Sequence, residues 1–129
     1  MADPVAKRIL VVDDANLVRR FYRDALERAD FEVGEALNGV EALEKLLVES
    51  FDLVIVDVNM PQMDGLTFLR TLRLQAAPVS SVPALVISTE AAPQDARAAR
   101  SAGANFYLVK PVPQDTLVAY VSIMCGLPA

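Results

Sequence analysis

Histidine is absent from the 129 residues, and there is a single cysteine, Cys125. Without imidazole the chain can hold no Ser-His or Cys-His nucleophile pair and no nitrogen-ligated metal. One thiol excludes an internal disulfide and any multi-cysteine metal site, and Cys125 reads as a small filler of the last helix. Long apolar runs are missing too. Hydrophobic residues make up 53% of the chain, yet the longest runs reach only a handful of residues, against the ~18 or more that a membrane span needs. Met1 to Lys7 is followed by Arg8 and a short apolar run that ends at Asp13 and Asp14, which does not read as a secretory leader. Basic residues number 12 against 17 acidic ones, a formal charge of −5, so a broad basic surface for nucleic acid is not expected. Nor does a glycine-rich phosphate loop follow the first strand, where VVDDANLV stands instead, which argues against a flavin or nucleotide carrier. These absences leave a cytoplasmic protein, without membrane or nucleic-acid partners, whose chemistry runs on carboxylates, hydroxyls, lysine and an oxygen-loving ion.

What is present is a rhythm. Short apolar runs alternate with longer amphipathic stretches along one domain, residues 1–129 with a core at about 7–126, and the chain ends soon after the last helix, so no output domain is expected. Strands are predicted at Arg8–Asp13, Phe31–Ala36, Leu53–Asp57, Ala84–Ser88 and Phe106–Val109, apolar enough on both faces to be covered on both sides. FEVGEA, the second, is less apolar and fits an edge. Leu17, Val18, Phe21, Tyr22, Ala25 and Leu26 recur at helical spacing, as do Ala42, Leu43, Leu46 and Leu47, each set making one apolar stripe. Leu117, Val121 and Met124 make the inner stripe of the last helix. Asn38 with Glu41 resembles a capping box and Asp64 caps the third helix, with Gly65 permitting a tight approach. Pro93 and Pro113 fit first-turn positions of the fourth and fifth helices, and Pro83 is tolerable because it begins its strand. The whole reads as an α/β, flavodoxin-like, doubly wound parallel sheet of five strands with five helices.

Five parallel strands joined by crossovers end on one edge of the sheet. There the sequence places Asp13 and Asp14 after the first strand, Asp57 after the third, Ser88 and Thr89 after the fourth, and Lys110 after the fifth. Ligands of open α/β sheets lie beyond the strand carboxyl ends where strand order reverses, and the flavodoxin-like order 2-1-3-4-5 would set the three acids side by side. That order is adopted as one of the two common ones; the residues do not dictate it. Carboxylates ~4 Å apart repel by about 4 kcal/mol per pair at an effective dielectric near 20. A dication relieves this, and oxygen-only ligands with open positions suit Mg²⁺, with Mn²⁺ as a substitute, better than Ca²⁺ or Zn²⁺. Lys110 lies two strands from Asp57, about 10 Å, a gap its extended side chain could largely bridge. Strand alternation favours Ser88 over Thr89 for the inward hydroxyl. A cation, a lysine and a hydroxyl around one carboxylate resemble a phosphoryl-transfer site.

The aspartate pair in VVDDA, the segment VDVNMPQMDG, the hydroxyl in VISTEA and the aromatic and lysine in NFYLVKP resemble response regulator receiver domains of the single-domain chemotaxis (CheY-like) type. The likeness covers nearly the whole chain in order. It implies that Asp57 is the phosphoacceptor for a histidine kinase phosphohistidine. It implies that Asp14, Asp57 and the Asn59 backbone carbonyl hold Mg²⁺, with Asp13 acting through water, and that Ser88 and Lys110 hold the phosphoryl oxygens. Ser88 and Tyr107 would form a switch pair, Lys110-Pro111 a cis peptide, and Asn59 and Glu90 the residues that tune dephosphorylation. A downstream protein would read a changed surface of the fourth helix, fifth strand and fifth helix, and the protein would be a signalling monomer or weak dimer rather than an enzyme. With no histidine of its own, the chain would need another protein as donor.

Each residue has a plainer reading. Asp14 could only cap the first helix, Lys110 could be a solvated lysine and Tyr107 core filler; Arg19, Arg20 and Arg23 read as a solvated basic face or a docking feature. Ala96, Ala98, Ala99 and Ala102 read first as close packing of the fourth helix on the sheet. Within the receiver reading, a phosphorelay intermediate or a regulator of another two-component protein stands beside the flagellar motor as output. A Mg²⁺-dependent aspartyl-phosphate phosphatase is the rival from another class; such enzymes place an acid two residues after the nucleophile, where this chain has Asn59.

Overall fold

The structure, a computed structural model, describes residues 6–127; the opening residues, on which the leader reading falls, lie mostly outside them. Strands β1 (Arg8–Val12), β2 (Glu32–Ala36), β3 (Leu53–Val56), β4 (Ala84–Ser88) and β5 (Phe106–Val109) alternate with helices α1 (Asn16–Arg28), α2 (Gly39–Val48), α3 (Gly65–Arg73), α4 (Pro93–Ala102) and α5 (Gln114–Met124). All pairings are parallel, in the order β2-β1-β3-β4-β5. This is the flavodoxin-like architecture expected, with β2 at one edge.

Strand alternation divides the core in two. Leu10, Val12, Val54, Val56, Ala84 and Val86 face α2, α3 and α4, where Phe68, Leu69 and Leu72 fill the layer. Ile9, Val11, Leu53, Ile55, Leu85 and Ile87 face α1 and α5, against Tyr22, Leu26, Leu117 and Val121. Truncating a fully buried residue such as Phe68 would cost about 3–5 kcal/mol. Ala99 and Ala102 are buried and Ala96 and Ala98 half-buried, so the small residues of α4 do pack closely.

Four local expectations need correction. Leu47, counted in the stripe of α2, is 59% exposed, while Ala42 and Leu46 are buried. On α1, Leu17 is 77% exposed and Phe21 44% exposed, while Arg19 is buried with Tyr22, Ala25 and Leu26. The helix is turned so that a guanidinium, with polar partners to satisfy it, replaces part of the apolar stripe. Pro113 is the N-cap of α5 rather than a first-turn residue. β5 is an edge strand with Phe106 and Val109 exposed, not a strand covered on both faces. The Asn38 side chain accepts from the Glu41 N–H at 2.9 Å, the forward half of a capping box, and Asp64 accepts from the Thr67 N–H at 2.9 Å. Pro93 does open α4.

The C-terminal end of α4 is tied down by Arg73. Its guanidinium donates to the Gly103 carbonyl from Nε at 3.0 Å and from one Nη at 2.6 Å. It also reaches the carbonyls of Ser80 at 3.1 Å and Val82 at 2.6 Å and the Asn105 side-chain oxygen at 3.2 Å. Gly103 has φ +121°, and a Cβ there would fall 2.7 Å from Arg73, so glycine serves both the turn and the approach.

Candidate functional site

β1 and β3 are adjacent, so the residues that follow them meet at one rim. The main chain continues the ladder for one more step: the Asp57 N–H donates to the Val12 carbonyl at 3.0 Å and the Asp13 N–H to the Ala36 carbonyl at 3.2 Å. Carboxylate oxygens of Asp13, Asp14 and Asp57 all lie within 4.8 Å of one another. Asp13 is 2% exposed and Asp57 9%, whereas Asp14 is open to solvent.

Like charges in a half-dry place resist ionisation. Burial, then the charge of Asp13, pushes the Asp57 carboxyl above its ordinary value; Lys110 and a hydrogen bond from the Asn59 N–H pull the other way, and Asp14 raises it further. Lys110 Nζ is 3.1 Å from Asp13 Oδ2 and 3.6 Å from Asp57 Oδ1, so the lysine lies between the two acids and nearer the first. One cation cannot neutralise three carboxylates. The all-oxygen donors, one of them exposed, fit a hard dication such as Mg²⁺ that keeps part of its water shell.

The loop after Asp57 is shaped by Gly65. A Cβ at that position would fall 2.2 Å from the Asp57 carbonyl oxygen, and the Gly65 N–H donates to the Val58 carbonyl at 2.9 Å. The start of α3 is therefore pressed against Asp57, a contact that only glycine permits.

Ser88 is fully buried and its Oγ accepts from the Glu90 N–H at 3.1 Å, while Thr89 is exposed. Tyr107 is half-buried and donates its phenol to the Glu90 carbonyl at 2.5 Å. The two side chains expected to act together thus hold the same residue of the loop before α4. Asn59 and Glu90 are both exposed. The Lys110-Pro111 peptide is cis.

The sequence reading of Arg19 as part of a solvated basic face or docking feature is overturned, because the residue is buried. Its guanidinium is nearly closed off from solvent and donates to the Asp13 carbonyl at 2.7 Å, to Glu35 Oε1 at 3.0 Å and to Asn16 Oδ1 at 3.0 Å. Glu35 on β2 also accepts from Arg23 at 2.6 Å. An arginine within an apolar stripe, with an unpaired acid on the neighbouring strand, was the available signal.

Comparison with known proteins agrees with this geometry. The family model for the response regulator receiver domain matches residues 9–122. The chain is 36% identical over 121 residues to the chemotaxis protein CheY1 of Helicobacter pylori, covering 92% of this chain and 97% of that one. It is 38% identical over 109 residues to a gliding motility regulatory protein of Myxococcus xanthus, covering 83% of this chain but spanning only 14% of that protein. The solved chemotaxis response regulator CheY4 of Vibrio cholerae superposes with a TM-score of 0.87 at 34% identity, over 93% of this chain and 99% of that one. The chain therefore belongs to the response regulator receiver domains, the phosphoaccepting modules of two-component signalling.

Proposed function

We propose that this receiver takes a phosphoryl group from the phosphohistidine of a histidine kinase onto Asp57 in a Mg²⁺-dependent reaction, and that it signals through an altered surface of α4, β5 and α5. The observation that carries this reading is the gathering of Asp13, Asp14 and Asp57 within 4.8 Å, with Lys110 between two of them. Asp14, Asp57 and the Asn59 carbonyl would hold the ion, with Asp13 acting through water. When bound, Mg²⁺ would supply the counter-charge that keeps the acids ionised and offsets charge on the transferred group.

In the transfer, an Asp57 carboxylate oxygen attacks phosphorus, the O–P bond forms as the N–P bond breaks, and the electron pair returns to the donor's imidazole nitrogen. Lys110 turns from Asp13 toward the new phosphoryl oxygens. Leu17 and Phe21, exposed on α1, border an apolar hollow of about 270 Å³ beside Lys110 and Pro111, a footing for the donor protein next to the acceptor.

Phosphorylation adds charge and acceptor oxygens at Asp57. Ser88 then turns its hydroxyl to the phosphoryl group, which frees the Glu90 N–H and shifts the loop that Tyr107 also holds. Exposed Asn59 and Glu90 leave the path of hydrolytic water open, so substitutions there should change the phosphoryl lifetime. A chemotaxis role is favoured over a phosphorelay by the likeness to the Helicobacter chemotaxis protein, 97% of whose length is matched.

The test is a panel of purified histidine kinases, plus acetyl phosphate with Mg²⁺, offered to wild type and Asp57→Asn. Phosphoryl transfer to wild type alone is expected. Equal labelling of Asp57→Asn would remove Asp57 as acceptor, and multiple turnover of small phosphate esters would point instead to an aspartyl-phosphate phosphatase.

A further inference from the structure

The acids at the rim are held from behind. Every polar position of Asp13 is occupied: its N–H donates to the Ala36 carbonyl, Oδ1 accepts from the Ala15 N–H at 2.9 Å, Oδ2 from Lys110 and the main-chain carbonyl from Arg19 at 2.7 Å. The last of these reaches beyond Asp13 itself. The peptide between Asp13 and Asp14 is planar, so a donor that fixes the Asp13 carbonyl also fixes the direction in which the Asp14 chain departs. Asp14 has the freest carboxylate of the three, exposed and with no hydrogen bond or ion pair among the described residues, so the course of its main chain has the largest say in where it stands.

Arg19 is an expensive choice for that position. Its side chain is 8% exposed, and a buried guanidinium cannot shed its charge. An apolar residue would have packed at least as well, since hydrophobic replacement of a buried ion pair is often neutral or stabilising. What the apolar residue would lack is the fork, which joins the link between the two acids to Asn16 in the first turn of α1 and to Glu35 on β2. Glu35 is itself gripped by Arg23, and Arg23 by Glu27 at 3.2 Å, so the group behind the rim has two positive and two negative members. Its charges balance in number, and Arg19 is not among the groups that shift the Asp57 carboxyl, so its influence on the rim is read as geometric.

We propose that Arg19 is a positioning residue of the metal site: by fixing the Asp13–Asp14 peptide plane it aims Asp14 into the rim. This rests on the function proposed above. Partners one shell behind metal ligands are worth about 10- to 100-fold in affinity, which sets the scale of the effect.

The experiment measures Mg²⁺ affinity by titration calorimetry on wild type, Arg19→Met, Arg19→Lys and Arg20→Gln, each shown to be folded by circular dichroism. Arg19→Met should lose about 10-fold or more, and Arg19→Lys, which keeps the charge without the fork, should recover only part of the loss. Arg20 is exposed on the same helix, and removing its charge should leave affinity within about twofold of wild type. An Arg20→Gln loss as large as that of Arg19→Met would show a charge effect and overturn the positioning role. So would Arg19 variants that melt earlier but bind Mg²⁺ as wild type does, the signature of a merely structural residue. Should Arg19→Met not fold, Arg19→Lys carries the decision alone, with wild-type affinity overturning the inference. Failure of wild type itself to bind Mg²⁺ would overturn the proposed function instead.

Discussion

Two groups of charged side chains flank the same stretch of β1 and are built on opposite plans. At the rim, three acids share one lysine. Behind it, Arg19, Arg23, Glu27 and Glu35 alternate in sign and satisfy one another. The second group is a structural tie, complete in itself. The first carries more negative than positive charge, an imbalance that folding alone would disfavour and that the cation and phosphoryl transfer of the proposed function would turn to use.

Removing members of each group should therefore have opposite consequences. The largest effect is expected from Lys110→Ala, which takes away the one cation that pairs with the rim acids among the described residues: the initial rate of Asp57 phosphorylation by acetyl phosphate should fall by about 10²-fold or more. Next, Asp57→Asn should stabilise the metal-free protein by about 1–2 kcal/mol at neutral pH, read by urea unfolding in the presence of a chelator. Because the folded-state value of Asp57 is raised, the wild type is penalised above that value and recovers by taking up a proton as the pH falls through it toward 3.8. The gap between variant and wild type should close over that range; a gap that widened on acidification would contradict the like-charge account.

Glu35→Gln should do the reverse. Burial opposes ionisation of Glu35, but hydrogen bonds and positive charge from Arg23 and Arg19 outweigh it and hold the carboxyl below its ordinary 4.5. The stabilisation is thus complete above 4.5 and lost as the pH falls through the lowered value. A cost of about 1 kcal/mol at pH 7 that vanishes in acid is expected from unfolding curves across pH. The smallest effect belongs to Glu49→Ala, which breaks a pair with Arg8 at 2.8 Å whose side chains are 35% and 44% exposed. It should change stability by no more than about 0.5 kcal/mol, and less in high salt.

Asp57, Ser88 and Lys110 were legible in the amino-acid order because each ends an apolar run, and parallel strands with helical crossovers carry all such ends to one rim. The strand order was not legible in the same sense, since no single strand states its neighbours. Nor was the true inner face of α1. Hydrophobicity placed Leu17 and Phe21 inside, and only the distant Glu35 and the Asp13 carbonyl explain why Arg19 goes there. Arg73 escaped notice for a related reason: its acceptors are main-chain carbonyls, which leave no trace in residue type. The exposure of β5 follows from its place as an edge strand, a property of order rather than of its own four residues.

Arg73 gives α4 a fulcrum. With the helix clamped near Gly103 and its opening end tied to the sheet through Glu90, which Ser88 and Tyr107 both hold, a shift of Glu90 under the function proposed above would turn the helix like a lever instead of sliding it along the sheet. Travel would then be greatest around Pro93 and Gln94 and fade toward Ala102, and a reader of this surface would gain most by gripping its upper half.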